Sequence, residues 1–172
     1  MAGGDTGHGA GNDAGSNAGS DSPLLVLVGP TATGKTALAV ALAERLRGER
    51  ALEVVSADSR QIYRLMDVAT AKPGPEDRAR LPHHLLDVVW PDESYSLAQY
   101  QAGANAATAG IIARGALPLL AGGTGLYVRA VVDGLAIPAV PPSPELRAEL
   151  EAEAAASGSG ALHARLVALD PQ

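Results

Sequence analysis

Eight consecutive residues constrain this chain more than any other feature. Gly29-Pro30-Thr31-Ala32-Thr33-Gly34-Lys35-Thr36 fits the pattern G-x-x-x-x-G-K-[S/T] at every fixed position. An apolar run, Leu24 to Val28, stands before it. After it Leu38, Leu42 and Leu46 recur at helical spacing until Gly48 ends the pattern. Between a strand and a helix, such a turn wraps an anion. Glycines let successive N–H groups point inward, and the helix N-terminus adds the positive end of its dipole. Lys35 supplies a point charge for terminal phosphate oxygens, and the Thr36 hydroxyl is a ligand for Mg²⁺. The turn predicts a bound diphosphate or triphosphate without saying what carries it.

The rest of the chain reads as an α/β domain. Leu24–Val28, apolar throughout, predicts a strand buried on both faces. Leu52–Ser56, Leu85–Val89 and Leu117–Ala121 read as further strands. Helical spacing runs over Ala37–Arg47, over Ser96–Arg114 with Gly115 as its stop, and over Thr124–Val132, with a short helix from Asp58 to Leu65. Ala71–Pro82 carries three prolines and reads as loop. A proline-rich crossing, Pro138–Pro144, leads to helices at Pro144–Ala156 and Ala161–Leu169. Strands alternating with helices predict a mostly parallel sheet, covered on both faces, with ligands at the carboxyl ends of its strands. Residues 1–22 have no Lys or Arg and no apolar periodicity, and read as a disordered tail. The core then covers 23–137 and a helical segment 138–172.

Composition narrows the function. Hydrophobic residues make up 47% of the chain, yet there is no Phe and one Trp, so Ala, Val and Leu are expected to fill the core. Without cysteine there are no disulfides, no thiolate catalysis and no Cys-ligated metal. No run approaches the roughly 18 apolar residues of a membrane span, and no signal-peptide pattern opens the chain. The expectation is a cytoplasmic protein away from membranes. The net charge of −6 argues against a nucleic-acid partner. Three negative charges, however, are Asp5, Asp13 and Asp21 in the tail.

Asp58 comes just after the second strand, which puts a carboxylate at the carboxyl edge of the sheet beside the phosphate turn. There it can take a proton from a nucleophile or hold Mg²⁺; the plainer role is a helix cap. Ser59, Gln61 and Tyr63 lie in the same segment. Gly122-Gly123-Thr124 forms a second strand–turn–helix junction at this edge, where glycines permit close approach of another backbone or a base. His83 and His84 lack a third ligand at metal spacing and read as loop residues rather than zinc ligands. Arg64 and Lys72 read as solvated surface cations. On these residues alone a P-loop small-molecule kinase stays open, using the turn for ATP and Asp58 as base. So does a nucleotide switch without chemistry. No arginine-rich lid supports the first, and no guanine-reading motif the second.

Together these segments resemble the tRNA dimethylallyltransferases. Asp58-Ser59-Arg60-Gln61-Ile62-Tyr63-Arg64-Leu65-Met66-Asp67 is similar to that family's D-S-x-Q-x-Y-x-x-M-D. Ala69-Thr70-Ala71-Lys72-Pro73 is similar to its G-T-A-K-P, with Ala69 where the family has Gly. His83-His84-Leu85-Leu86-Asp87 and Gly122-Gly123-Thr124-Gly125-Leu126-Tyr127 complete the series in family order. The resemblance implies a P-loop NTPase-like, doubly wound parallel sheet followed by the start of a helical tRNA-binding insertion. It implies transfer of a dimethylallyl group from dimethylallyl diphosphate, held with Mg²⁺, to N6 of the adenine beside the anticodon, tRNA position 37. Gly29 to Thr36 would then hold the diphosphate, with Thr33 on the leaving group and Thr36 on the metal. Asp58 would be the general base. Asp58, Ser59, Arg60, Gln61, Thr124 and Arg147 would contact the anticodon stem-loop, and the glycine turn at Gly122-Gly123 would leave room for the extruded adenine. The enzyme is expected to act as a monomer. The helical pattern runs up to Asp170-Pro171-Gln172, so the chain reads as the N-terminal part of a longer protein.

Overall fold

A computed structural model describes residues 23–138 and 140–171; the tail at 1–22 lies outside the described residues. They fall into two compact units, divided between Ala136 and Ile137. The first unit holds β1 (Leu25–Val28), α1 (Lys35–Arg45), β2 (Leu52–Ala57), α2 (Pro75–Arg80), β3 (His83–His84), α3 (Leu97–Ala113), β4 (Leu117–Gly122) and α4 (Gly125–Val132). The four strands form one parallel sheet in the order β1-β4-β2-β3. The second unit is a pair of helices, α5 (Pro144–Ser157) and α6 (Ser159–Leu169), joined at Gly158 and bridged by Arg165 and Glu153 at 2.9 Å. Among the described residues no helix is long and apolar enough to cross a membrane.

Side chains alternate across the sheet as the strand repeat demands. Leu52, Val54 and Leu119 pack on one face against Ala39 and Val40 of α1. Val55, Ala57 and Leu120 pack on the other against Tyr100, Ala104 and Ile111 of α3 and Tyr127 of α4. This is the doubly wound arrangement. β1 and β4 lie side by side, but the helices that come after them cover opposite faces, so a crevice opens at their carboxyl ends. Two tyrosines supply what Ala, Val and Leu do not. The rings of Tyr100 and Tyr127 stack at 3.7 Å, and the Tyr100 hydroxyl donates to the Ser56 carbonyl at 3.1 Å. α3 begins as its sequence demands: Ser96 and Gln99 form a reciprocal capping box. It ends at Gly115, with φ +75°.

Four expectations fail, the first three for non-local reasons. β1 is not buried on both faces. Among the described strands it pairs only with β4, and α1 covers one of its faces, which leaves Val26 43% and Val28 53% exposed. Asp58–Leu65 is a chain of turns, not a helix. Its backbone groups are taken by residues 87–89: Asp87 N–H donates to Gln61 O, Val88 N–H to Ile62 O, and Arg64 N–H to Val89 O. The strand placed at Leu85–Val89 is therefore short and earlier. β3 pairs His83 and His84 with β2, and Leu85 and Asp87 then take left-handed backbone angles. Finally, Ala71–Pro82 contains α2, because Pro75 stands at the start of the helix, where a missing N–H costs nothing.

Gly122 shows how tightly the strand ends are joined. A Cβ there would lie 2.1 Å from the Ala57 carbonyl oxygen, on the neighbouring strand. Thus the glycine admits backbone, not a base. Gly122→Ala is expected to cost about 3 kcal/mol, the upper end of overpacking penalties. It should appear as a lower denaturant midpoint at unchanged slope. A loss below about 1 kcal/mol would show that β2 and β4 separate here without the cost that overpacking usually carries.

Candidate functional site

The turn after β1 has the backbone its sequence requires. Ala32 (φ +66°) and Gly34 (φ +84°) take left-handed angles, and Gly34 caps α1. The Lys35 ammonium donates to the carbonyls of Gly29 (2.7 Å) and Pro30 (2.6 Å), leaving one of its three protons for an anion. The Thr33 hydroxyl donates to Pro30 O at 2.8 Å, so it braces the loop. Thr31, Ala32, Gly34, Lys35 and Thr36 line a cleft of about 400 Å³. A second cleft of about 330 Å³ opens against Pro30, Ser59, Arg60, Ala69, Thr70 and Thr124. Thr31 and Asp58 line both clefts.

Asp58 caps no helix. Its Oδ1 accepts the Arg60 N–H at 3.0 Å in a local turn, and the other oxygen has no hydrogen-bond partner among the described residues. Thr124 fixes the neighbouring Ser59. The Thr124 hydroxyl accepts from Ser59 N (2.9 Å) and donates to Ser59 Oγ (3.2 Å), while the Thr124 N–H donates to Ala57 O (3.0 Å). The acidic segment is thereby tied to the second glycine turn. Gly123 lies close to Gly29 O, 3.1 Å from where a Cβ would stand. Gln61 faces the first cleft rather than the second. Its amide N–H groups reach Thr70 O and Ala71 O, both at 3.1 Å, and its oxygen accepts from Ser56. Arg147 lies on α5 in the second unit.

Lys72 is not a solvated surface cation, whereas Arg64 is exposed as expected, with its guanidinium engaged by neighbours. The Lys72 side chain is 1% exposed, and its ammonium meets Asp67 (2.8 Å), Asp87 (2.8 Å) and the Tyr63 carbonyl (2.7 Å). Burial works against its charge, but the hydrogen bonds to Asp67 and Asp87 prevail and hold its pKa above the usual lysine value. Burial likewise raises Asp87, yet Lys72 and Arg78 outweigh it and hold that carboxyl below its usual value. Arg64 donates to Asp87 O at 3.0 Å and lies 5.2 Å over the Trp90 ring. The only sequence signal for this cluster was that Lys72 and Asp87 fall inside motifs shared with the family. His83 lines the first cleft, its Nδ1 2.6 Å from Leu81 O, and burial lowers its pKa. His84 instead pairs with Glu53 at 2.7 Å.

Fold and loop together define an α/β protein of the P-loop NTPase-like kind. Family models agree on which one: the model described as "IPP transferase" matches residues 61–172, and that described as "Isopentenyl transferase" matches 23–86. The chain belongs to the IPP transferase family. It is 56% identical over 149 residues to the tRNA dimethylallyltransferase of Roseiflexus sp. (strain RS-1), covering 87% of this chain and 48% of that protein. With its counterpart in Anaeromyxobacter dehalogenans (strain 2CP-C) the identity is 59%, covering 86% and 48%. The full-length tRNA isopentenylpyrophosphate transferase of Bacillus halodurans superposes with a TM-score of 0.62 at 46% identity, over 87% of this chain and 48% of that one. A eukaryotic dimethylallyltransferase crystallised acting on tRNA gives 0.68 at 26%, over 87% and 36%. The chain spans about half the length of the curated relatives it matches.

Ala69, where the resembling motif has glycine, sits exposed at φ +61°. A left-handed backbone costs an L-residue about 1–2 kcal/mol, against about 0.5–1 kcal/mol for the extra chain entropy of glycine. Ala69→Gly is therefore expected to stabilise the protein by up to about 1 kcal/mol, raising the thermal midpoint. A lower midpoint would show that the Ala69 methyl group contributes more than the backbone strain costs.

Proposed function

We propose that this chain carries the reacting centre of a tRNA dimethylallyltransferase. The observation that carries the reading is the wall shared by the two clefts, formed by Thr31 and Asp58. On this reading the larger cleft takes dimethylallyl diphosphate and the smaller one the adenine beside the anticodon. The exocyclic amine attacks the allylic carbon as the bond from that carbon to the diphosphate oxygen breaks. Lys35 and the loop N–H groups stabilise the departing charge. The amine's surplus proton goes to Asp58, whose second carboxylate oxygen is uncommitted. The target base leaves its stack to enter the cleft.

The residues fit Mg²⁺, which is held by few protein oxygens with phosphate and water completing its shell. Thr36 would hold it, and it would add positive charge against the leaving diphosphate. RNA contacts fall to Ser59, Arg60 and Thr124 at the second cleft, with Gln61 supporting the wall. We assign residues 138–172 to a helical insertion that reaches the RNA through Arg147. Because one copy lines both clefts, a monomer suffices, and a tRNA substrate suits the cytoplasm. A kinase would also use both clefts, one for ATP and one for its acceptor; what favours transfer to tRNA is the likeness to tRNA dimethylallyltransferases.

The test is transfer of labelled dimethylallyl to an anticodon stem-loop by the full-length polypeptide. Asp58→Asn is expected to retain both ligands and slow single-turnover transfer by about 10²–10⁴-fold. A rate within about threefold of wild type would remove Asp58 from the mechanism, since a general base is worth more than that. Lys35→Ala should weaken diphosphate binding more than RNA binding, compared at one salt concentration. Equal losses would count against the assignment, and preferential binding of ATP would favour the kinase.

A further inference from the structure

We propose that Lys72 is a positioning residue for the transfer reaction: it holds the 58–73 loop, which walls both clefts, without itself touching either substrate. The inference rests on the cleft assignment under Proposed function. The loop leaves β2 at Asp58, and Asp58, Gln61, Ala71 and Pro73 line the first cleft, while Ala69 and Thr70 line the second. Whatever fixes this loop sets the distance between the two substrates.

The loop has little regular structure of its own. Three of its non-glycine residues, Leu65, Ala69 and Ala71, have left-handed backbone angles, and such conformations persist only where the surroundings impose them. Here the surroundings are polar. Thr70 Oγ1 donates to Met66 O at 2.8 Å, and Gln61 spans to Thr70 and Ala71. Lys72 then ties three separate places together: Tyr63 at the start of the loop, Asp67 at its middle, and Asp87 beyond β3. Asp87 is itself anchored, since its second oxygen takes Arg78 at 2.7 Å and its carbonyl takes Arg64.

Two of the three ammonium protons go to Tyr63 O and Asp87 Oδ1 in hydrogen bonds, and Asp67 Oδ1 lies 2.8 Å away as an ion pair. Lys72 therefore lines the first cleft with its ammonium engaged by the protein itself, and the carboxylates of Asp67 and Asp87 offset its charge. That separates its role from that of Lys35. Removing it need not unfold the protein: Asp67 is 67% exposed and can be hydrated, and Asp87 keeps Arg78. The phosphate turn has its own braces and should still bind its anion. What is lost is alignment, where a misplacement of about 1 Å can cost about 10²-fold in rate.

The experiment uses the full-length polypeptide with dimethylallyl diphosphate and an anticodon stem-loop at fixed salt. Lys72→Met is expected to lower the single-turnover rate about 10²-fold, with both dissociation constants changed less than about threefold, as fits a loss confined to alignment. Lys72→Arg keeps the charge but not the compact three-way geometry, and should fall between wild type and Lys72→Met. If the Met variant does not fold, the Arg variant decides, and wild-type transfer by it overturns the proposal. In the Asp58→Asn background Lys72→Met should add little further loss, because residues acting as one unit are not additive. Full multiplication of the two losses, or weakened binding that accounts for the rate, would overturn the positioning role. Failure of the wild-type protein to transfer dimethylallyl would instead bring down the cleft assignment, and this inference with it.

Discussion

Three backbones meet at the carboxyl end of the sheet, and at one of the crossings, Gly122, only glycine fits. The Ala57 carbonyl occupies the space a Gly122 side chain would need, Gly29 N–H donates to Gly122 O at 3.3 Å, and Thr124 N–H returns to Ala57 O. This junction is what makes a site of segments far apart in sequence. The phosphate turn leaves from one strand, the acidic segment from a second and the Thr124 turn from a third. Because all three leave from one point, Asp58 and Thr31 can share a wall.

Much of this was legible because it is written locally. The phosphate turn is contiguous, its conformation is imposed by its own residues, and the strand and helix around it announce themselves by their repeats. Asp58 could be placed from topology: a carboxylate just past a parallel strand must emerge at the ligand edge. What the sequence concealed depends on partners distant in the chain. Asp58–Leu65 has helical spacing, but its N–H and C=O groups are satisfied by residues 87–89, and no local pattern records that. Nothing in the residues beside Lys72 reveals that two carboxylates, one of them 15 residues away, neutralise it. Nor does an apolar run disclose that its strand stands at the sheet's edge, since strand order is a property of the whole unit.

The electrostatics also bear on how an acidic chain could hold the anion proposed for the turn after β1. The phosphate turn relies on oriented backbone N–H groups and one lysine, and fixed dipoles add nothing to net charge. Three of the side-chain cations near the site are occupied with the protein itself: Lys72 and Arg78 with Asp87, and Arg64 with the Asp87 carbonyl and the Trp90 ring. Net charge, a sum over the whole surface, therefore says little about a single site.

Trp90 gives this arrangement an optical consequence. It is the single tryptophan of the chain, 45% exposed, and the guanidinium above its ring belongs to the residue next to Tyr63, whose carbonyl Lys72 grips. Within these 172 residues tryptophan emission is therefore tied to one place, the root of the loop between the clefts. A cation close above an indole changes the colour and yield of its fluorescence, so any shift of that loop would be recorded without an added label. The protein contains its own spectroscopic gauge of the wall between its two clefts.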